Sequence, residues 1–211
     1  MLKGLSIFMN ENEELLLQIL DLEWQMFYAT QNIGGKASCQ NNRPTFEIMR
    51  RSQFGAWNEQ TLSSYLEDLQ KAEAAGDNLL AYKYAYMMEI TSPSEYQNIK
   101  NLLPSISREK MELIERIIAI NMEWYDEYAR MYPKLSKKGR KRSAGDDFLS
   151  TPSVETYMMG ELKTYSEKTL ELLLEHFMHS KEMGRNLFAH TVDLEMQQYG
   201  FKDIDEAERL A

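Results

Sequence analysis

Apolar side chains recur at steps of three and four residues along most of this chain, which is the period of an amphipathic α-helix. The longest such stretch covers residues 107–131, where one face carries Leu113, Ile114, Ile117, Ile118, Trp124, Tyr125 and Tyr128. No stretch shows the apolar-polar alternation or the Val, Ile and Thr enrichment of β-strands. The pattern therefore predicts an all-α fold without a sheet.

Proline, glycine and short polar side chains divide the periodic stretches into about seven to nine helices. The predicted helices cover residues 12–32, 46–57, 58–75, 78–90, 92–103, 107–131, 151–183 and 186–199, with a last one from 203. A chain of 211 residues is long enough to bury a sizeable core within one domain. We therefore expect a single helical bundle over residues 1–211, with a basic loop at 134–150.

The formal net charge of −9 disfavours nucleic acid and anionic membranes as partners, because both repel an acidic protein. The exception is local, since six of the nine residues from Lys134 to Arg142 are basic. A solvated loop is the favoured interpretation of this run, and a phosphate-contacting loop is the alternative.

Three further features predict a cytoplasmic protein. There is no apolar run of transmembrane length, and no apolar core of a signal peptide in the first residues. Cys39 is the only cysteine, which excludes an intrachain disulfide and a Cys-based zinc site. Cys39 follows Gly34, Gly35 and Lys36 in a predicted loop. A structural cysteine is the interpretation that we favour, and a nucleophilic thiolate is the alternative.

Four glutamates lie among aromatic and apolar side chains. Glu23 and Glu123 each directly precede a tryptophan, and Glu89 and Glu161 each follow a Tyr-Met-Met sequence. A carboxylate on an apolar helix face must find a partner or stay protonated. Lys83, which shares a predicted helix with Glu89, and Arg50 or Arg51 are the expected partners.

We interpret this pattern as a polar pocket in the core that binds a small charged or nucleotide-like ligand. The predicted ligand-binding residues are Glu23, Arg50, Gln53, Lys83, Tyr84, Glu89, Glu161 and Tyr165. If the protein is an enzyme, which the sequence leaves open, a glutamate whose pKa is raised by burial is the most available general base. The alternative is a set of buried ion pairs that only fix the packing.

The carboxylates do not have the spacing of known metal sites. A di-iron bundle needs two Glu-x-x-His motifs, and neither Glu89 nor Glu161 has a histidine three residues on. Only the segment from Glu123 to Asp126 approaches the Glu-x-x-Asp motif of helical pyrophosphohydrolases. We therefore assign no metal site, and the sequence does not identify a cofactor.

The segment from Arg185 to His190 resembles the short Arg-x(4 to 6)-His motif of the helical HEPN nucleases. That resemblance implies an RNase in which arginine and histidine flank an RNA phosphate. The motif is short and the chain is acidic, so a surface arginine and an unrelated helix histidine are the favoured interpretation.

Short polar and aromatic motifs extend along nearly the whole chain. They are Glu23-Trp24 with Phe27, Cys39-Gln40, Arg50 with Ser52-Gln53-Phe54 and Trp57, Asn78-Leu79 to Lys83-Tyr84, Met87-Met88-Glu89, Pro93 with Glu95-Tyr96, and Gly160-Glu161-Leu162 with Thr164-Tyr165-Ser166 and Thr169-Leu170. Together these motifs resemble the bacterial domain-of-unknown-function family 4125. The resemblance implies no activity, but it favours the polar residues within the motifs as site residues.

The same resemblance suggests a second function, because such domains are loosely associated with nucleotidyltransferase-like neighbours. In this alternative the protein is a helical interaction subunit that docks a partner such as a nucleotidyltransferase. Its 14 methionines and 12 tyrosines are suited to an adaptable docking surface.

Overall fold

A computed structural model of the chain describes residues 11–31, 38–143, 145 and 152–211, without the side chains of Ser38 and Cys39. These residues form eleven α-helices and two short 3-10 turns, and no strand occurs among them. The helices are α1 (Glu11–Ala29), α2 (Arg43–Gly55), α3 (Glu59–Ala75), α4 (Leu79–Thr91), α5 (Pro93–Ile99), α6 (Arg108–Met131), α7 (Pro133–Lys138), α8 (Val154–Leu162), α9 (Glu167–Glu182), α10 (Leu187–Gln198) and α11 (Ile204–Leu210). The 3-10 turns are Ser38–Asn41 and Lys100–Leu102. The predicted all-α class is confirmed, with more helices than the seven to nine expected.

One extra helix arises because the predicted helix 151–183 is two helices. The chain leaves α8 after Leu162 and starts α9 at Glu167. The Ser166 side chain accepts a hydrogen bond from the Thr169 backbone N–H and caps α9. Asp68 of α3 accepts hydrogen bonds from the Ser166 backbone N–H at 2.9 Å and from the Thr169 hydroxyl at 2.7 Å. A side chain from a distant helix therefore fixes where α9 begins.

The other extra helix lies in the basic stretch, so the prediction of a loop is wrong for residues 134–138. Pro133 occupies the first turn of α7, where its missing N–H costs nothing. The backbone N–H groups of Lys134 and Leu135, in the same turn, donate to the carboxylate of Glu208 in α11. The acidic side chain satisfies this helix end and ties α7 to α11.

One connected hydrophobic core joins the helices. The helix α1 packs on α3, α2 and α4; α9 packs on α3 and α6; α10 covers α2 and α6; and α8 lies against α4 and α6. The side chains that are completely inaccessible to solvent include Ile19, Phe54, Leu69, Ile114, Ile117 and Leu170. None of the helices in the described part of the chain combines the length and the apolar character needed to cross a bilayer.

The contact between α4 and α8 is unusually close because α8 carries a glycine there. A Cβ atom at Gly160 would lie 2.8 Å from the carbonyl oxygen of Lys83 and 2.5 Å from Cγ of Met87. The two Tyr-Met-Met stretches lie on these two helices. The close approach places Glu161, the residue after the glycine, beside Lys83.

Candidate functional site

Arg50, on α2, is the centre of a buried ionic network. Its Nε donates to Glu23 Oε2 at 2.6 Å, and its Nη2 donates both to Glu23 Oε1 and to Glu161 Oε1, the latter at 2.9 Å. Its Nη1 donates to Glu161 Oε2 at 3.1 Å and to Gln53 Oε1 at 2.8 Å. All five N–H donors of the guanidinium are therefore used, and the residue is only 4% exposed.

The two carboxylates accept further hydrogen bonds. Glu23 accepts from the Tyr65 hydroxyl at 2.6 Å. Glu161 accepts from Lys83 Nζ at 2.6 Å, from Gln53 Nε2 at 2.8 Å and from the Tyr165 hydroxyl at 2.6 Å. We define the core ionic network as Glu23, Arg50, Gln53, Tyr65, Lys83, Glu161 and Tyr165. Its two anions balance its two cations.

The cations of the network keep the Glu161 carboxyl ionised. Burial alone would raise the pKa of the Glu161 carboxyl, but the charges of Arg50 and Lys83 outweigh burial and hold that pKa well below its usual range. Burial and the neighbouring carboxylates raise the pKa of the Tyr65 and Tyr165 hydroxyls, which remain neutral donors. The prediction of a general base with a raised pKa is therefore wrong for Glu161, because the cations of Arg50 and Lys83 lie within hydrogen-bond distance of its carboxylate.

Six of the eight predicted site residues meet in this network, and two do not. The ring of Tyr84 lies 5.9 Å from Lys83 Nζ and packs against Phe27. Glu89 lies outside the network and pairs with Lys163 at 2.6 Å, with 48% of its own side chain exposed. The expected pair of Lys83 with Glu89 does not form, because residues six apart on a helix point to different faces. Lys83 pairs with Glu161 instead.

The other charged residues singled out in the sequence also lie apart from the network. Arg51 pairs with Glu13 at 2.6 Å, near the surface. Glu123 pairs with Lys181, and both side chains are about half exposed. Both are ordinary surface pairs, which contribute little to stability.

Sequence reasoning missed two tyrosines as members of the site. Tyr65 belongs to the apolar stripe of α3, and nothing in that stripe distinguishes it from a core aromatic. Tyr157 lies one turn before Glu161 on α8, and the centroid of its ring is 3.7 Å from Lys83 Nζ. That helical spacing is a signal which could have identified Tyr157.

A cavity of about 460 Å³ opens on the other side of α4. It lies between α4, α5, the start of α6 and the end of α8, and its wall includes Tyr86, Glu89, Tyr96, Lys100, Ile106 and Lys163. Lys163 is held there by Glu89 and by the ring of Tyr86, whose centroid is 5.6 Å from Nζ. Of the predicted site residues, Glu89 lines this cavity.

A family model described as "Protein of unknown function (DUF4125)" matches residues 13–209, which is nearly the whole chain. The chain belongs to the DUF4125 family. The family predicted from the sequence motifs is thus confirmed. A search of curated proteins and a search of solved structures found no match.

The remaining sequence candidates do not converge on a second site in this DUF4125 protein. Arg185 and His190 are both exposed, Arg185 at the turn after α9 and His190 in α10. The nuclease interpretation stays a prediction, and RNA cleavage by wild type and by a His190→Ala variant is its test. The side chain of Cys39 lies outside the described residues.

Much of the basic stretch is bound to the protein itself. Arg142 makes a two-point contact with Asp126 at 2.7 and 2.9 Å, and Lys134 Nζ donates to the carbonyl of Arg209 at 3.3 Å. These contacts favour a structural role for the two side chains. Among the side chains that the structure describes, no three His, Cys, Asp or Glu residues come together as a metal site requires.

Proposed function

We propose that this DUF4125 protein binds a small charged ligand in the cavity between α4, α5 and the start of α6. The observation that carries the proposal is the cavity itself, whose volume of about 460 Å³ is within the usual range for small-molecule sites. Its wall offers the cations of Lys100 and Lys163, the anion of Glu89, and the rings of Tyr86 and Tyr96. This combination suits a ligand with a charged group and a flat or apolar part, such as a nucleotide-like molecule.

The Lys163–Glu89 pair is suited to exchange partners with a ligand. The Lys163 side chain is only 7% exposed, whereas 48% of the Glu89 side chain faces solvent. Glu89 can therefore rotate into water at little cost and leave the Lys163 ammonium to an anionic group. A lysine held in a partly dehydrated wall binds an anion more strongly than one in bulk water.

The core ionic network is less suited to ligand exchange, because its members already satisfy one another. A ligand that entered it would have to displace a partner of Arg50 or Glu161. Breaking a buried ion pair in this way costs about 3–5 kcal/mol. In our proposal the network instead supports the cavity wall, since Glu161 and Lys163 are two residues apart at the end of α8 and Lys83 and Glu89 share α4.

A ligand screen by thermal unfolding tests the proposal. Inorganic phosphate, nucleoside monophosphates and free amino acids are added to wild type, to Ser105→Trp, which fills the cavity, and to Ser94→Trp. Ser94 is exposed on α5 and does not line the cavity, so this variant is the matched control. A ligand present at 100 times its dissociation constant stabilises the protein by about 2.7 kcal/mol.

We expect at least one compound to raise the melting temperature of wild type and Ser94→Trp but not of Ser105→Trp. A Gln53→Ala variant distinguishes binding in the cavity from binding in the core ionic network, because Gln53 bridges Arg50 and Glu161 at the half-buried edge of the network. If a compound still raises the melting temperature of Ser105→Trp but not that of Gln53→Ala, the binding site is the core ionic network and not the cavity. No response from any compound would contradict the proposal.

A second candidate function is a helical interaction subunit, which an apolar groove between α6 and α9 favours. The groove has a volume of about 500 Å³ and is lined by Ile120, Leu174 and Met178, with charged side chains at its rim. Self-association through it would show as a dimer in sedimentation equilibrium that Met178→Glu dissociates. Met183→Glu is the control, because Met183 is exposed and lies outside the groove. A monomer at all concentrations excludes self-association.

A further inference from the structure

Lys163 has unused hydrogen-bond donors where it lines the cavity between α4, α5 and the start of α6. An ammonium group has three N–H donors. Among the residues that the structure describes, Glu89 Oε2 is the one hydrogen-bond acceptor of Lys163 Nζ, at 2.6 Å. Because the residue is buried, the two remaining donors are best satisfied by an anionic group inside the cavity.

Glu89 presents the opposite charge at the same place. One oxygen of its carboxylate accepts from Lys163, and within the described part of the chain the other oxygen accepts no hydrogen bond. An ionised carboxylate accepts about four hydrogen bonds. Glu89 can therefore also hold a cationic group of a ligand without giving up Lys163.

The other titratable groups of the wall leave this pair of charges in balance. The Tyr86 hydroxyl donates to the carbonyl of Pro104 at 2.6 Å, and burial raises its pKa to about 12, so it stays neutral. Burial and the charge of Glu89 raise the pKa of Tyr96. Lys100 is exposed and remains hydrated. A phosphate dianion would bring two negative charges next to Glu89, whereas a ligand with one charge of each sign matches the pair.

Part of the cavity wall is apolar. Leu103, Ile106 and Met111 line the cavity, and the last two pack against the hydrophobic core. The volume of about 460 Å³ is in the lower part of the range of roughly 300–1,000 Å³ for small-molecule sites. The cavity is therefore suited to a small ligand with an apolar part.

We propose that the ligand is an α-amino acid with an apolar or aromatic side chain. Its carboxylate accepts hydrogen bonds from Lys163, and its ammonium donates to Glu89. Its side chain lies against the apolar part of the wall. An α-amino acid carries both charges on one carbon atom, so the four charges alternate in sign at close range and the Lys163–Glu89 pair stays intact. This inference rests on the proposed function, because it names the ligand class of the same cavity.

Isothermal titration calorimetry of wild type with three related compounds tests the two charges. They are L-phenylalanine, 3-phenylpropionate, which lacks the ammonium, and 2-phenylethylamine, which lacks the carboxylate. The same comparison with a smaller side chain uses L-leucine, 4-methylpentanoate and 3-methylbutylamine. In at least one series the amino acid should bind about tenfold or more tightly than either analogue, because each analogue leaves one charge of the pair without its partner. An analogue that binds as tightly as its amino acid in both series would overturn the proposal.

Glu89→Gln identifies the partner of the ligand's ammonium, and its exposed position makes the variant suitable for folding. It should weaken binding of the amino acid by about tenfold without weakening binding of the acid that lacks the ammonium. Glu95→Gln is the matched control, because Glu95 is an exposed glutamate on α5 that does not line the cavity. Lys163→Met should weaken both the amino acid and the acid. Equal binding of the amino acid to wild type and Glu89→Gln would overturn the proposal.

Titrations of wild type and Ser105→Trp with inorganic phosphate and adenosine monophosphate distinguish a failure of this inference from a failure of the proposed function. If either anion binds wild type but not Ser105→Trp, and neither amino acid binds, the amino acid is wrong and the cavity remains a binding site. Amino-acid binding that is unchanged in Ser105→Trp would overturn both, because the ligand would then lie outside the cavity. Both are also overturned if none of the compounds binds.

Discussion

Arg50 donates hydrogen bonds to both glutamates of the core ionic network, so its removal is the sharpest test of what the network contributes. An Arg50→Met variant leaves Glu23 and Glu161 buried with fewer donors than they need. We expect the free energy of unfolding, measured by urea titration, to fall by about 3–5 kcal/mol.

The neighbouring Arg51 provides the matched control for this prediction. Its pair with Glu13 is 31% and 43% exposed, so Arg51→Met should cost no more than about 1 kcal/mol. Similar losses in the two variants would mean that the buried position of Arg50 has no special importance.

The lowered pKa of Glu161 predicts how stability depends on pH. Its pKa in the folded protein is below the ordinary value of 4.5, so the unfolded chain takes up the proton first as pH falls. The stabilisation by ionised Glu161 is therefore complete above about pH 5 and is lost progressively below it. Urea titrations of wild type and Glu161→Gln at about pH 6 and about pH 3 should show a smaller difference at the lower pH. A difference that does not change with pH would contradict the assignment.

For single residues, the sequence predicts which charged side chains need partners, but not which partners they find. Glu23, Arg50, Lys83 and Glu161 are recognisable because each lies on an otherwise apolar helix face. The pair of Lys83 with Glu161 joins residues 78 positions apart, and only tertiary packing brings them together. Tyr65 could not be recognised, because a tyrosine on an apolar face looks like any core aromatic.

Among the helices, the contact of α4 with α8 depends on the missing side chain of Gly160. A Gly160→Ala variant gains about 1 kcal/mol of helix propensity but forces a methyl group to within 2.8 Å of the Lys83 carbonyl oxygen. Backbone cannot move aside as a flexible side chain can, so we expect a net loss of about 1–3 kcal/mol in the free energy of unfolding.

Gly55→Ala is the control for this prediction. Gly55 also lies in a helix, but its new methyl group would meet only the end of the Leu194 side chain, at 3.2 Å. The stability of Gly55→Ala should change by less than about 1 kcal/mol, in either direction. Equal destabilisation by both alanines would show that the α4–α8 contact is less restrictive than the distances indicate.

Element boundaries were predictable where the deciding groups are local. Asn58 and Ser107 lie directly before α3 and α6, and their side chains accept hydrogen bonds from the backbone N–H groups of Thr61 and Lys110 at 2.9 and 3.0 Å. The break between α8 and α9 was missed because apolar periodicity continues across it and Asp68, 98 residues away, helps to set it. The helix α7 was missed because basic residues suggested a loop, although Pro133 is also a helix-start signal.

Taken as a whole, the molecule should unfold in one step, because the network connects α1, α2, α3, α4 and α8. The three tryptophans allow a test, since Trp57 packs against Tyr65 and Tyr165 of the network, Trp24 follows Glu23 on α1, and Trp124 lies in α6. In a Trp124→Phe variant, fluorescence reports only the first two. We expect its urea transition to coincide with the transition followed by far-ultraviolet circular dichroism. Separate midpoints would show that the surroundings of Trp24 and Trp57 unfold independently of the other helices.

The long separations within the network also affect the protein while it is being synthesised. Lys83 leaves the ribosome 78 residues before Glu161, the carboxylate that balances its charge in the interior. Until then the ammonium has no buried counter-ion there, and dehydrating it would be costly. The apolar face of α4 must therefore remain open to water or to a chaperone until α8 emerges. The core ionic network of the nascent chain can therefore form only after α8 has been made.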